Sequence, residues 1–431
     1  MRLRSKGLPI LVCLLALAAA PPARAQQRDL EAGLLEQFFT KIVRPGEPGL
    51  AVLVREDGRA DFRKGYGVRD LKSQAAITPQ TNFRLASFTK QFTAMAIMLL
   101  VHDRRLRYDE SLQEIVPEFP AYGKPITIRH LLTHTSGLPD YENLMDREEK
   151  AQGQRWTPEH QIRDDEVLAL LERETKAEFA PGTSWAYSNS AYVVLGIIVA
   201  RVSGSSYSAF LQQRIFVPLG MHSTVVYQKG MNEVPQRALG HSLNDGKFIQ
   251  TDQSSTSATL GDGGIYSNLE DLSKWDDALA NHKLLSEQEM RPALIPVKLA
   301  DGSQTHWPSE PDGDNLDPGK PVSYGFGWFL DPYQGRSRMW HSGSTMGFRT
   351  VIERFSSPRL TVVILCNRAD LDPAKLALEV AAICLEKAKQ VEPSEKPSSS
   401  LGQRACPSLS SWSARQWRRT ASSSCASADT V

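Results

Sequence analysis

The sequence has no run of about twenty consecutive apolar residues, the length a membrane-spanning helix needs. The apolar stretch Leu8 to Ala20 has thirteen residues. No integral membrane segment is therefore expected once that stretch is accounted for. Cysteine is scarce, five in 431 residues. Cys13 lies in the N-terminal apolar stretch, Cys366 in a strand-like run and Cys384 in a helix-like one, while Cys406 and Cys425 fall near the C-terminus. No spacing among them resembles a zinc site or a redox pair. Cys366 and Cys384 read as buried small hydrophobes, and disulfide pairing stays open. Net charge is only +1, so nothing points to nucleic acid or a polyanionic partner.

Several motifs are incomplete. His130 and His134 have zinc-binding i, i+4 spacing but no intervening glutamate and no third ligand, so no metal is expected. Gly240-His241-Ser242-Leu243-Asn244 lacks the last glycine of a nucleophile elbow, and no strand is expected before it. The acidic loop Asp312 to Asp317 lacks calcium-loop spacing. Asp146 to Lys150 reads as a solvated charge run on a loop. No cofactor is implied.

What is present starts with a leader. Arg2, Arg4 and Lys6 precede the apolar stretch, and Ala23-Arg24-Ala25 comes after it. A basic region, a short apolar core and a small-x-small site make a signal peptide over 1–25, so an exported protein, periplasmic or secreted, is expected. Residues 26–390 then form the expected domain. Glu31 to Val43 has helical periodicity. Gly49 to Val54 and Arg59 to Val68 read as strands joined by a Glu56-Asp57-Gly58 turn. Helical segments and Pro- and Gly-rich loops fill roughly 70–320. Strands return at Tyr324 to Leu330, Ser337 to His341, Phe348 to Phe355 and Leu360 to Cys366, and Asp372 to Lys389 reads as a closing helix. Strands at both ends and helices between them predict one sheet made from both chain ends, with an inserted helical lobe. The Ser-rich stretch 391–431 cannot bury enough apolar surface to order itself and is expected to be a disordered tail.

Three short elements carry chemistry. Ser87-Phe88-Thr89-Lys90 opens the apolar stretch Phe92 to Val101. At i, i+3 on a helix the hydroxyl and amine are neighbours. Burial lowers a lysine's preference for charge, and an amine so placed can activate a hydroxyl. Tyr187-Ser188-Asn189 comes after a Pro181-Gly182 turn and precedes a helical run, Tyr192 to Val202, which puts Tyr187 and Asn189 on a loop at a helix entrance. A phenolate is favoured beside a lysine cation. Trp340-His341-Ser342-Gly343-Ser344 ends a strand, whose edge offers backbone groups to a substrate; glycine there permits close approach.

In this order the three elements resemble the serine β-lactamase and DD-peptidase superfamily. The resemblance is to its class C-like branch, in which the middle motif is Tyr-x-Asn. Gly65-Tyr66-Gly67-Val68, His130 to Gly137, Phe216 to Met221 and Gly263 to Ser267 also match, so the likeness runs from about 30 to 388. It implies an α/β (α+β) β-lactamase/transpeptidase-like fold, with an antiparallel sheet built from both chain ends, flanking helices and an all-α lobe. It implies Ser87 as acylated nucleophile, Lys90 as proton acceptor or relay, Tyr187 as general base and then acid, and Asn189 as positioning amide. His341, Ser342 and Gly343 would face the substrate, and the N–H groups of Ser87 and Ser344 would form the oxyanion hole. The β-lactamases of the branch carry Lys-Thr-Gly where this chain has His341-Ser342-Gly343. A histidine, largely neutral above its reference pKa, replaces a permanent cation. Turnover of carboxylate-bearing substrates is therefore expected to weaken as pH rises past the His341 pKa. The substrate implied is a small molecule or peptide, peptidoglycan-derived among the candidates: a D-alanyl peptide, a β-lactam or a small ester. The alternative is a penicillin-binding or peptidoglycan-binding protein that acylates with little turnover. The sequence does not set the oligomeric state.

Overall fold

The N-terminal and C-terminal thirds of the domain meet in one antiparallel sheet of five strands. Its order is Arg59–Tyr66, Leu50–Glu56, Leu360–Cys366, Phe348–Phe355, Arg338–Thr345. The structure, a computed structural model, describes residues 22–310 and 317–391. The expected signal peptide up to residue 21, the tail from 392 and most of the acidic loop lie outside the described residues. The chain divides into two units at Lys389–Gln390, and the sheet, the helical lobe and the candidate site all belong to the first.

The first hairpin turns at Asp57 and Gly58, both at positive φ (49° and 80°), as a tight turn matched to strand twist requires. Leu50 pairs with Tyr66 on one side and with Cys366 on the other, so the N-terminal hairpin forms one edge of the sheet and its first strand joins it to the C-terminal strands. Leu50 to Val54 are buried throughout because both faces of the sheet are covered. One face, with Val52, Val54, Val362 and Ile364, packs on the helices Pro22–Ile42 and Pro373–Val391 through Leu35, Phe39, Ala377 and Val380. The other, with Ala51, Leu53, Val363 and Leu365, joins the core of the helical lobe.

The helix Lys90–His102 carries that lobe. Residues 90–100 are all buried, as expected of a helix apolar on every side. Phe92 meets Trp275 at a ring-centroid distance of 4.4 Å, and burying such a ring contributes roughly 1.5–3 kcal/mol. The helix Asn189–Ser203 packs alongside it. Ser188 caps its start by accepting the Ala191 N–H, and Gly204 ends it in the left-handed conformation.

Four local expectations change. Tyr324 to Leu330 is not a strand but a tight reversal in which the Gly325 N–H donates to the Trp328 carbonyl at 2.8 Å. Gly327 takes φ +76° there, and a Cβ at Gly325 would lie 2.0 Å from the Ala293 carbonyl oxygen. The last strand of the sheet does not stop at His341 but runs on to Thr345. Asp146 to Lys150 lies in the helix Tyr141–Gln152 rather than a loop. The inserted lobe is not purely helical. It contains a small sheet of Phe83–Arg84, Ile265–Ser267 and Val225–Val226, and a hairpin of His241–Asn244 with Lys247–Gln250.

Candidate active site

Ser87 lies half-buried in a single 3₁₀ turn, Ala86–Thr89, that runs directly into the Lys90–His102 helix. The residue before it, Ala86, has φ 50°, a conformation that costs an L-residue roughly 1–2 kcal/mol. Such strain persists only where the surroundings hold it. The Leu85 N–H donates to the Ile265 carbonyl at 2.8 Å, and Thr350 Oγ1 donates to the Leu85 carbonyl at 2.8 Å. The neighbouring strand presses on the same turn. A Cβ at Gly343 would stand 2.0 Å from the Leu85 carbonyl oxygen and 2.5 Å from Thr350 Oγ1. Glycine in the His-Ser-Gly triplet therefore serves contact with the serine turn, rather than the substrate approach expected from the sequence.

Lys90 is 0% exposed. Its Nζ donates to Ser87 Oγ at 3.0 Å, to Asn189 Oδ1 at 2.7 Å and to the Asp262 carbonyl at 3.2 Å. It also lies 4.8 Å from the centre of the Tyr187 ring. Three segments, Ser87 beside Lys90, Tyr187 to Asn189 and Asp262, thus converge on one amine. A hydroxyl 3.0 Å from a buried amine is within reach of direct proton transfer.

His134 holds the Tyr187 segment. Its ring centre is 4.5 Å from that of Tyr187, and its Nδ1 accepts the Ser188 N–H at 3.1 Å. Burial, reinforced by the nearby Lys90 charge, pushes its pKa well below the usual histidine value. The ring is neutral, with its proton on Nε2. The other member of the His130/His134 pair turns to local structure, where His130 Nδ1 accepts the Thr127 N–H at 3.2 Å.

His341 takes a different place from the one expected. It is 1% exposed. Its Nδ1 donates to the Ser342 carbonyl at 2.6 Å, and its Nε2 accepts from Tyr324 OH at 3.0 Å. Burial, then the Lys90 charge, push its pKa down to about 3. Burial raises that of Tyr324, which keeps its proton and donates. The expected loss of turnover as His341 deprotonates thus has no titrating group behind it near neutral pH. Neither His341 nor Ser342 lines the cleft at Ser87. That cleft, of about 50 Å³, is lined by Ser87, Asn189, Ser344 and Thr345 together with Tyr141 and Asp262, among others.

The arrangement unites Ser87, Lys90, Tyr187 and Asn189, and brings Ser344 to the rim. Sequence reasoning missed Asp262, Tyr324 and the role of His134. The Gly325 and Gly327 pair was a signal that Tyr324 opens a reversal. Asp262 carried no signal apart from the matched Gly263-Gly264 beside it.

A family model described as Beta-lactamase matches residues 32–384. A penicillin-binding protein of Bacillus subtilis (strain 168) is 30% identical over 334 residues, covering 74% of this chain and 68% of that one. The D-aminopeptidase of Gluconobacter oxydans (strain 621H) is 27% identical over 325 residues, which cover 75% of this chain but only 56% of that relative. Among solved structures, the octameric penicillin-binding protein homologue from Pyrococcus abyssi superposes with a TM-score of 0.66 at 26% identity, covering 83% of this chain and 77% of the other. The D-amino acid amidase from Ochrobactrum anthropi SV3 in complex with L-phenylalanine gives 0.67 at 23% identity, covering 85% and 99%, a likeness of fold alone.

Proposed function

The chain belongs to the Beta-lactamase family of serine hydrolases, and on that premise we propose that it is an exported enzyme acting through an acyl-enzyme at Ser87 on a small amide or ester. The observation that carries this reading is the Lys90 amine, 0% exposed and 3.0 Å from Ser87 Oγ. As Oγ attacks the carbonyl, the serine proton passes by way of the Lys90 amine to the Tyr187 phenolate that the lysine cation favours. Tyr187, on the far side of the same amine contact, passes a proton to the departing amine or alcohol. Asn189 fixes Lys90 through the 2.7 Å hydrogen bond and offers its amide N–H to the substrate. The N–H groups of Ser87 and Ser344 receive the oxyanion, where loss of one donor typically costs about 2.7–4 kcal/mol. Water then attacks the ester and restores the serine.

Three chemistries share this path: a D-alanyl peptide, a β-lactam and a short ester. Neutral His341 supplies no cation for a β-lactam carboxylate, which favours the amide and ester substrates. The names of the relatives, a penicillin-binding protein and a D-aminopeptidase, favour substrates built on D-residues. Acylation with little turnover is the second reading, supported by the first of those names. The basic, apolar and small-x-small pattern at 1–25 supports export to the periplasm or medium. Mature protein beginning at Gln26 would be its measurable sign.

A panel of a chromogenic cephalosporin, a D-Ala-D-Ala peptide and p-nitrophenyl esters tests the reading, with Ser87→Ala as control. Turnover lost in Ser87→Ala is expected; turnover that survives it overturns the assignment. Long-lived labelling by a fluorescent penicillin without turnover selects the second reading.

A further inference from the structure

A second cleft, of about 590 Å³, opens at the start of the strand Arg338–Thr345, and it shares no lining residue with the cleft of about 50 Å³ at Ser87. Met339 lines it, whereas Gly343 of the same strand presses on the serine turn. Four residues of strand separate the two, about 13 Å. The volume suits a small organic molecule, for which clefts of roughly 300–1,000 Å³ are usual.

The walls of this cleft divide by chemistry. Leu294, Leu330, Met339 and Phe355 give it an apolar side. Leu294 is 41% exposed, so part of that side stands in water. Arg338, Arg354 and Arg359 bring three guanidinium groups, against a single carboxylate in the lining, Asp331. Two of the three are matched. Arg338 Nη2 donates to Asp331 Oδ2, and its Nη1 lies 3.5 Å from Glu353. Arg354 Nε donates to Asp276 Oδ1 at 2.7 Å. Arg359 differs, because no hydrogen bond or ion pair of its guanidinium occurs among the described residues. Its place is nonetheless set. The guanidinium lies against the neighbouring hairpin turn, where a Cβ at Gly58 would stand 3.1 Å from Nη2. The Arg359 carbonyl accepts the Asp57 N–H at 2.9 Å.

A planar cation without a counter-charge thus shares a cleft with a partly wetted apolar side. A carboxylate fits the guanidinium fork with two parallel hydrogen bonds. A small inorganic anion would leave the apolar side in water, and an uncharged hydrophobe would leave the cation unmatched. Only a ligand with both parts satisfies both walls.

We infer that this cleft binds an organic carboxylate with an apolar body, such as a medium-chain alkanoate, with its head on Arg359 and its chain along Leu294, Leu330 and Met339. The inference is independent of the reaction at Ser87.

Isothermal titration of the full chain with acetate, butanoate, hexanoate and octanoate tests it, with octanamide as the uncharged match. Affinity is expected to rise about 2- to 4-fold for each added methylene, the scale of burying one CH₂. Octanoate is expected to bind at least about 5-fold more tightly than octanamide. Arg359→Gln is expected to weaken octanoate by about 5- to 30-fold and to leave octanamide unchanged. Leu294→Asp, at an exposed position, is expected to weaken both at least about 5-fold. Octanoate held at Ser87 instead would be insensitive to Arg359→Gln, and that result overturns the inference. So does equal affinity for octanoate and octanamide. Absence of octanoate uptake by wild type, as when a second copy of the chain covers the cleft, overturns it as well.

Discussion

Replacing Gly343 by alanine tests whether the serine turn is held in its strained shape by the strand beside it. The added Cβ would stand 2.0 Å from the Leu85 carbonyl oxygen and 2.5 Å from Thr350 Oγ1. Both atoms belong to the contacts that fix Ala86 at φ 50°, and the nearer one is backbone, which cannot rotate away. Overpacking of a tight site costs typically 1–3 kcal/mol, and a collision with main chain belongs at the upper end, about 3 kcal/mol. The strand or the turn must retreat, and a shift of about 1 Å at a catalytic group can cost on the order of 100-fold in rate. The assay pairs urea unfolding with the acylation rate of an activated ester. Ser342→Ala, at the next position on the same strand, is the stability control and is expected to stay within about 0.5 kcal/mol of wild type. Wild-type stability together with a wild-type acylation rate in Gly343→Ala would refute the claim that this contact shapes the site.

Four of the most deeply buried groups contribute to the fold's pH dependence. His134 and His341 resist protonation, so below their usual 6.5 the unfolded chain takes up protons that the fold does not, and stability falls with falling pH. Burial raises Asp164 and Glu353 to about 8, so their contribution is present below about 4 and is lost as pH rises to 8. From about pH 4 to 6.5 the two dependences oppose one another. Above about 6.5 only the carboxyls act, and stability is expected to fall with rising pH by up to about 1.4 kcal/mol per unit for each. Urea midpoints at about pH 5, 6.5 and 8 check this, and Glu353→Gln should flatten the alkaline loss. Tyr324→Phe removes the donor to His341 Nε2 and should destabilise by about 1–3 kcal/mol, measured by the same unfolding. In the activity profile between about pH 5 and 8 no limb should disappear in His341→Gln, since the ring titrates at about 3.

The serine and lysine were legible because their relation is local. Three residues of helix or 3₁₀ turn bring hydroxyl and amine together whatever the rest of the chain does. The sheet was legible from its Leu360–Cys366 strand, apolar but for Thr361, and the turn at Asp57-Gly58. What the sequence hid are relations across space. Whether His341 faces substrate or core depends on the face of the strand it occupies, and Tyr324, brought beside it by a reversal, decides that. Asp262 meets Lys90 across 172 residues of chain, with no spacing to announce it. Tyr324 to Leu330 carries strand-forming residues, yet its two glycines and the backbone at Ala293 make a turn of it.

Leu50 pairs with Cys366, and Gly343 presses on the turn at Leu85. The order of synthesis therefore cannot be the order of assembly. No N-terminal fragment contains a finished serine turn, because the strand that braces it is made some 250 residues later. Loop closure over such separations is slow relative to local helix formation. A nascent chain thus carries its nucleophile for most of its synthesis without the wall that shapes it, and reactivity at Ser87 should appear only on completion of the sheet. Acylation by a fluorescent probe then becomes a reporter of folding as much as of catalysis.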